Sequence, residues 1–141
     1  MKNAFSIRDW VWQAWTDSEL LKKWFTPAPW KTLDARVEPW PGGAFNTTMG
    51  GPEGERVEGE GCVLVAVPNT VLVWTDGFSA GFRPKESTFM TGILRIIPHP
   101  EGCRYIAIAR HKSEEDRLAH EEMGFLHGWG AALDQLIALM S

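Results

Sequence analysis

The chain has 141 residues, a formal net charge of −4 at neutral pH, 44% hydrophobic residues and 23% charged residues. These values are typical of a globular protein, so we expect residues 1–141 to form one domain with a substantial hydrophobic core. The basic residues are scattered, which argues against nucleic acid as a partner. No apolar run approaches the roughly 20 residues that cross a bilayer, and the N-terminus lacks a signal-peptide pattern, so a cytoplasmic protein without a membrane partner is expected.

Tryptophan is the unusual component of the composition, with eight Trp against one Tyr. Most of these indoles are expected to pack in the core, and the alternative is that several form flat apolar walls around a cavity. The two cysteines, Cys62 and Cys103, lack CxxC spacing and are expected to be reduced thiols.

Two short helices are predicted near the N-terminus. Ser6 and Asp9 have the spacing of a capping box and predict a helix that extends to Thr16. Thr16 and Glu19 repeat this spacing and predict a second helix that reaches Phe25, where two prolines follow. The inward candidates of the first helix are Val11, Ala14 and Trp15.

Six strands at hairpin spacing follow the two helices. Alternating apolar residues and Gly/Pro turns place them at 33–38, 44–49, 56–67, 70–76, 88–97 and 103–111. Gly59 and Gly61 indicate a bend or bulge in the third strand. Segment 77–87 is predicted as a loop, either a gate or a mobile surface loop. Short turns between consecutive strands predict an antiparallel meander.

The C-terminal stretch predicts one long amphipathic helix from Ser113, a natural N-cap, to Met140. Its apolar face comprises Leu118, Phe125, Trp129, Ala132, Leu133, Leu136 and Met140. Glu122 falls in the middle of that face. A second face carries Gly124 and Gly128, which predicts another element packed close to the backbone there.

Strand alternation predicts the face of the sheet that this helix covers. The inward candidates of the last two strands are Met90, Gly92, Leu94 and Ile96, and Tyr105, Ala107, Ala109 and His111. Small Ala and Gly residues on this face leave space between the sheet and the helix. The space either forms a ligand cavity or is filled by Trp and Phe side chains.

Four segments of the chain resemble motifs of a known superfamily. They are VWQAWTDSELLKKWF at 11–25, PGGAFNTTM at 41–49, LVWTD at 72–76 and HKSEEDRLAHEEMGFLHGWGAALDQL at 111–136. Together they resemble the SRPBCC (START-like, helix-grip) superfamily, in the branch related to the activator of the 90-kDa heat-shock-protein ATPase. The resemblance implies an α+β helix-grip fold, in which a curved antiparallel sheet of six to seven strands wraps around a long C-terminal helix, with two short helices near the N-terminus. It also implies a strand before the first helix, for which Asn3–Ser6 is the available stretch.

The resemblance does not imply one activity, because the superfamily includes lipid carriers, polyketide cyclases and hydrophobic-ligand binders. The first hypothesis is a non-enzymatic protein that binds a small hydrophobic or aromatic molecule between the sheet and the C-terminal helix. The second is a cyclase- or hydrolase-like enzyme that uses Glu122 and His111. The third is a protein-interaction module, chaperone-linked or homodimeric, with an exposed apolar patch.

The candidate ligand-binding residues are Trp24, Trp30, Trp40, Phe45, Trp74, Asp76, Met90, His111, Glu122, Phe125 and Trp129. A carboxylate in an apolar stripe is costly unless it is paired, so Glu122 is either solvated, held by a partner, or directed into the cavity as an acid or base. His111 is either a capping or core hydrogen-bonding residue or a cavity group, and Asp76 is either a rim group or a strand-end cap or turn residue. His120 and His127 are interpreted as surface or interface residues. Neither a metal nor a cofactor is expected, since the sequence lacks metal-ligand spacing, nucleotide-binding loops and nucleophile motifs.

Overall fold

The computed structural model describes residues 6–140, so the predicted N-terminal strand lies outside the described residues except for Ser6. The helices are α1 (Ile7–Thr16), α2 (Ser18–Leu21), α3 (Glu114–Glu122) and α4 (Phe125–Met140). The strands are β1 (Lys31–Val37), β2 (Phe45–Gly50), β3 (Arg56–Gly59), β4 (Cys62–Val67), β5 (Val71–Thr75), β6 (Phe78–Ser79), β7 (Arg83–Pro84), β8 (Thr91–His99) and β9 (Gly102–Arg110). The predicted order of two helices, a run of strands and C-terminal helical structure is confirmed.

Helix α1 begins at the predicted capping box. The Ser6 hydroxyl accepts a hydrogen bond from the Asp9 backbone N–H at 3.2 Å, and the Asp9 carboxylate accepts one from the Ser6 N–H at 2.9 Å. These two bonds satisfy donors that the first turn of a helix leaves free. The predicted inward residues are all buried, namely Val11, Ala14 and Trp15.

The second predicted capping box is wrong. Asp17 caps α2, because its carboxylate accepts hydrogen bonds from the Glu19 N–H and from the next backbone N–H. The Thr16 hydroxyl is already bonded to the Trp12 carbonyl within α1, at 2.8 Å. Helix α2 lasts only one turn and does not reach Phe25, because non-helical turns begin directly after it.

The strands form the predicted antiparallel arrangement in two ladders, β1-β2-β3 and β4-β5-β8-β9, with a small β6-β7 hairpin. The predicted long strand at 56–67 is divided into β3 and β4 near Gly61. A Cβ atom at Gly61 would lie 2.7 Å from the Thr75 carbonyl oxygen and 3.0 Å from the Phe45 carbonyl oxygen. Only glycine fits between these two backbones, so the chain changes ladder here.

Strand β1 contains a bulge that reverses its predicted alternation. The pairing shifts between Thr32 and Asp34, so Leu33 has no partner in β2. As a result Leu33, predicted to face inward, is exposed, whereas Thr32 is buried and shares a 2.6 Å hydrogen bond with the Thr26 hydroxyl. Beyond the bulge the predicted alternation resumes, and Val37 is buried.

Aromatic side chains fill much of the space inside the sheet. The rings of the core cluster contact one another at centroid distances of 4.8 to 6.4 Å, and they are Trp15, Trp24, Phe25, Phe45 and Trp74. Trp74 lies directly over Gly92, where a Cβ atom would be 2.3 Å from its ring. The space that Gly92 leaves is therefore occupied by an indole.

The predicted single C-terminal helix is wrong, because it is interrupted at Met123 and Gly124. Gly124 has a φ of +87° and its N–H donates to the Glu121 carbonyl at 3.0 Å, which is how a glycine ends a helix. A Cβ atom at Gly124 would meet nothing within 4 Å, and one at Gly128 would meet only Pro27, at 3.8 Å. These glycines therefore do not mark a tightly packed face as predicted.

Helix α4 is fixed to the rest of the protein by both apolar and polar contacts. Ala132 and Leu136 are buried in the core. The Gln135 amide nitrogen donates to the carbonyls of Trp24 and Thr26, at 2.7 and 2.9 Å, and its oxygen accepts from the Ala28 N–H at 2.9 Å. In the described part of the chain, no helix combines the length and the hydropathy needed to cross a membrane.

Candidate functional site

Two histidines meet where β9 is followed by α3. The Nε2 atom of His111 lies 2.8 Å from the Nδ1 atom of His120, within hydrogen-bonding distance. His111 is half-buried, and His120 is only 9% exposed. The prediction that His120 lies on the surface is therefore wrong. The prediction assumed the phase of one continuous helix, whereas α3 ends at Glu122 and Gly124 separates it from α4.

Two aromatic rings contact this histidine pair, and a third packs behind one of them. Phe89 contacts both imidazoles, with centroid distances of 5.5 Å to His111 and 4.9 Å to His120. Phe125 lies 4.5 Å from His120, and Trp129 lies 4.9 Å from Phe125. We refer to these five residues as the histidine–aromatic cluster. Sequence reasoning missed Phe89 and His120, although Gly124 was a readable stop signal that would have reset the helical phase.

The contact between the two histidines depends on their protonation. In the neutral pair one facing nitrogen must donate and the other must accept, so the two rings share one N–H. Burial lowers the pKa of His120 from its ordinary value of 6.5, and a positive charge on His111 lowers it further. Burial thus favours the neutral form of His120, and acidification adds a proton to it.

Asp76 positions one wall of the cluster. Its Oδ1 atom accepts hydrogen bonds from the Thr88 hydroxyl at 2.9 Å, the Phe89 N–H at 2.8 Å and the Met90 N–H at 3.2 Å. These bonds hold segment 88–90 beside the end of β5. Asp76 therefore acts as a positioning residue for Phe89 and Met90, in agreement with the strand-end alternative.

The inner face of β9 is apolar but incompletely covered. Ala107 pairs with Leu94, and Ala109 pairs with Gly92. Directly opposite residues share a face of an antiparallel sheet, so both alanines point inward. Leu94 is fully buried, whereas both alanines remain half-buried. Beside them a surface depression of about 310 Å³ is lined by Ala109, Arg110, His111, Ser113, Glu114 and Arg117.

Several predicted wall residues belong instead to the packed core or to other surfaces. Trp24, Phe45 and Trp74 are buried members of the core cluster. Trp30 lies against Gly51, where a Cβ atom would be 2.9 Å from its ring, and Trp40 is 55% exposed. Of the predicted site residues, the structure brings together His111, Phe125 and Trp129 in the histidine–aromatic cluster, while Met90 packs against the core beside its positioning residue Asp76.

Glu122 does not lie in a buried stripe. It is the last residue of α3 and is exposed, because the helix break turns this segment away from the apolar face of α4. Leu118 is also exposed, so the predicted stripe is wrong within α3. Met123 and Leu126, on either side of Gly124, are 74% and 72% exposed.

The predicted loop at 77–87 is anchored to its neighbours. It contains the β6-β7 hairpin, and Phe82 packs on Gly42, where a Cβ atom would lie 2.9 Å from the ring. Lys85 donates to the Glu60 carbonyl at 2.6 Å.

A polar depression of about 300 Å³ lies on β1–β3, lined by segments 34–36, 46–48 and 58–60. Among residues 6–140, no three His, Cys, Asp or Glu side chains are grouped so that they could hold a metal ion.

The sheet, its C-terminal helix and the partly open inner face define a START-like, helix-grip protein of the SRPBCC class. The family model described as "Activator of Hsp90 ATPase homolog 1-like protein" matches residues 7–141, and the chain belongs to this family. The predicted fold and the predicted branch of the superfamily are both confirmed.

Solved structures support this assignment. A crystal structure of a Nitrosomonas europaea protein is 40% identical, with a TM-score of 0.92 over 99% of this chain and 90% of that chain. A Mycobacterium smegmatis protein is 23% identical, with a TM-score of 0.78 over 95% and 83% of the two chains. A Rhodobacter sphaeroides protein is 20% identical, with a TM-score of 0.82 over 99% and 88%. The last two show the fold alone, and no curated protein matches the chain.

Proposed function

We propose that this protein binds a small apolar or aromatic molecule between the inner face of β9 and helices α3 and α4. The observation that carries the proposal is the half-buried state of Ala107 and Ala109. Both alanines face inward on β9, the edge strand of its ladder, whereas their paired neighbours on β8, Leu94 and Gly92, are buried. A region of this kind gains free energy when an apolar ligand covers it, by about 25 cal/mol for each Å².

The side chains around this region have the composition expected of a ligand site. Met90 and Trp129 are half-buried apolar groups that pack against the core, and Phe125 is a half-buried ring that contacts His120 and Trp129. Trp74, whose ring lies over Gly92 beside Ala109, closes the site on its core side. The histidine pair supplies the few polar atoms that fix the orientation of a bound molecule. Mostly apolar walls with a small number of polar groups are typical of small-molecule sites.

The test combines ligand titration with a space-filling variant. The purified protein is titrated with N-phenyl-1-naphthylamine, a neutral apolar fluorophore, while probe and tryptophan fluorescence are recorded. Ala109→Leu adds three carbons to the proposed site and should weaken binding by at least about tenfold. Ile108→Leu is the control, because Ile108 lies on the other face of β9 and its volume is unchanged, so its affinity should equal that of the wild type.

Two results would contradict the proposal. One is the absence of saturable probe binding to the wild-type protein. The other is an unchanged affinity in Ala109→Leu when circular dichroism shows that this variant is folded. Native mass spectrometry of freshly purified protein adds a direct measurement, since a co-purified apolar molecule should appear as a mass increment that organic solvent removes.

The other two hypotheses are less well supported. An enzyme that uses Glu122 and His111 needs both groups at one cavity surface, but Glu122 is exposed and His111 is bonded to His120. The description of the family refers to Hsp90 ATPase activation, and a protein-interaction role of this kind stays a prediction for this chain. We therefore favour ligand binding.

A further inference from the structure

Helix α3 is held to the rest of the protein mainly by one side chain. Of its nine residues, seven are exposed, Asp116 is half-buried and only His120 is buried. The exposed residues bond chiefly within the helix, because Arg117 pairs with Glu114 and Glu121. A helix with so little buried apolar surface has a low free energy of local opening.

The contacts of His120 are therefore the contacts that keep α3 in place. Its imidazole is bonded to His111 of the sheet at 2.8 Å and packs between Phe89 and Phe125. His111 directly follows β9. Every residue of β9 is paired with β8, so His111 is attached to a fixed part of the sheet. The histidine pair thus joins a weakly packed helix to a rigid sheet.

The two ends of α3 permit movement as a unit. At its C-terminal end Gly124 has a φ of +87° and no neighbouring atom within 4 Å of a Cβ position. At its N-terminal end Lys112 and Ser113 are exposed. Backbone rotation at these ends would swing α3 without disturbing α4, which Gln135 and Leu136 hold independently.

We propose that α3 is a lid over the ligand site, closed by the hydrogen bond between neutral His111 and His120 and opened when both imidazoles are protonated. The inference rests on the proposed function for the site that the lid covers. It concerns regulation of that site, and the closing and opening of α3 can be measured without any ligand.

Protonation breaks the contact for a simple electrostatic reason. One proton added to the pair still allows an imidazolium to donate to its neutral neighbour. A second proton leaves two donors and no acceptor, with two positive charges facing each other at 2.8 Å. The rings then separate, and the weakly packed helix moves with His120.

The surrounding charged groups do not neutralise this repulsion. On α3, Asp116 lies one turn before His120 and pairs with Lys112. After β5, the Asp76 Oδ1 atom accepts from three donors of segment 88–90. The remaining charged or titratable groups nearby are Arg110 at the end of β9, Arg117 with its two glutamates, and the exposed His127 on α4. Within residues 6–140, neither imidazole is hydrogen-bonded to a carboxylate.

The direction of the pH effect follows from the lowered pKa of His120. The open state has the ordinary pKa near 6.5, so it binds more protons than the closed state below that pH. The closed state is therefore favoured above pH 6.5 and loses stability as the pH falls through the pKa of the closed form. One extra proton in the open state changes the opening equilibrium about tenfold for each pH unit.

The test is hydrogen exchange measured by mass spectrometry at about pH 7.5 and about pH 5.5, with correction for the intrinsic exchange rates. Between these values, protection of α3 amides should fall by up to about tenfold relative to α4. His127→Gln, which removes an exposed histidine from α4, should behave like the wild type. His120→Gln retains hydrogen-bonding groups but cannot titrate, so its α3 protection should not change with pH.

Equal α3 protection at both pH values in the wild type would overturn the proposal, as would an unchanged pH response in His120→Gln. If His120→Gln does not fold, the same measurement is made on His111→Gln, which replaces the half-buried hydrogen-bond partner of His120. Stopped-flow binding of N-phenyl-1-naphthylamine separates the two proposals. Lid opening without probe binding would contradict the ligand site alone, and probe binding with an immobile α3 would contradict the lid alone.

Discussion

Replacement of Gly92 tests whether the space under the sheet is filled. In Gly92→Ala, the new Cβ atom would lie 2.3 Å from Cζ2 and 2.4 Å from Cη2 of Trp74. Carbon atoms in contact prefer about 3.5 to 4.0 Å, so the indole would have to move by more than about 1 Å. Phe45 stacks on this ring at 4.8 Å and Trp15 contacts it at 5.0 Å, so no simple rotation relieves the overlap.

The expected cost can be estimated from similar overpacked cores. Overpacking costs about 1 to 3 kcal/mol, and we take the upper value because a whole buried indole must shift. Restricting the unfolded chain offsets about 0.4 to 1 kcal/mol of this. We therefore expect Gly92→Ala to lower the free energy of unfolding by about 2 kcal/mol, which corresponds to a Tm lower by roughly 6 to 8 °C.

Urea unfolding followed by far-ultraviolet circular dichroism is the measurement. Gly130→Ala is the matched control, since Gly130 lies in α4 with nothing within 4 Å of a Cβ position. This control should gain about 0.5 to 1 kcal/mol. Trp74→Phe combined with Gly92→Ala should recover part of the loss relative to the sum of the single changes. A stability of Gly92→Ala equal to that of the wild type would refute the reasoning, because Trp74 would then have free space around it.

Three further predictions concern buried polar contacts. Burial raises the pKa of Tyr105, the single tyrosine, so the folded protein loses stability as the pH rises through that raised pKa. The ultraviolet difference absorbance of this tyrosine should therefore change only above pH 10, and together with unfolding. Asp76→Ala should lower the free energy of unfolding by about 2 kcal/mol, whereas Asp76→Asn, which keeps an acceptor oxygen, should lower it by less than about 1 kcal/mol. Gln135→Ala should cost about 2 kcal/mol in urea unfolding, and the exposed Asp134→Ala almost nothing. A tyrosine that titrates near pH 10 in the folded protein, or equal stabilities within either pair of variants, would contradict these predictions.

The cost of Asp76→Ala has a structural explanation. The Asp76 Oδ1 atom serves the Thr88 hydroxyl and the N–H groups of Phe89 and Met90, so its removal leaves three donors without their partner. Because these donors hold Phe89 against the histidine pair, Asp76→Ala should also increase exchange of the α3 amides. Asp76→Asn should not, and this difference separates the positioning role from a general loss of stability.

Local features of the chain could be predicted because neighbouring residues determine them. The capping box of Ser6 and Asp9 needs only two residues at the right spacing, and the alternation of β8 correctly predicted Gly92 and Leu94 as inward residues. The motif PGGAFNTTM and the C-terminal segment also indicated the family, which the comparison confirmed. Of the predicted ligand-binding residues, His111, Phe125 and Trp129 lie in one cluster with His120, and their role in ligand binding stays a prediction.

The sequence by itself determined the element order, the helix-grip fold and the aromatic content of the interior, because periodicity, caps and turn residues act over short distances. Only the tertiary structure decided how these elements meet. The bulge in β1 depends on pairing with β2, and the filling of the space under Gly92 depends on Trp74 of the neighbouring strand. The break at Gly124 rotates α3, so that His120 is buried against His111 while Glu122 faces solvent. The backbone angle at Gly124, between α3 and α4, thus decides that His120 and not Glu122 belongs to the candidate site.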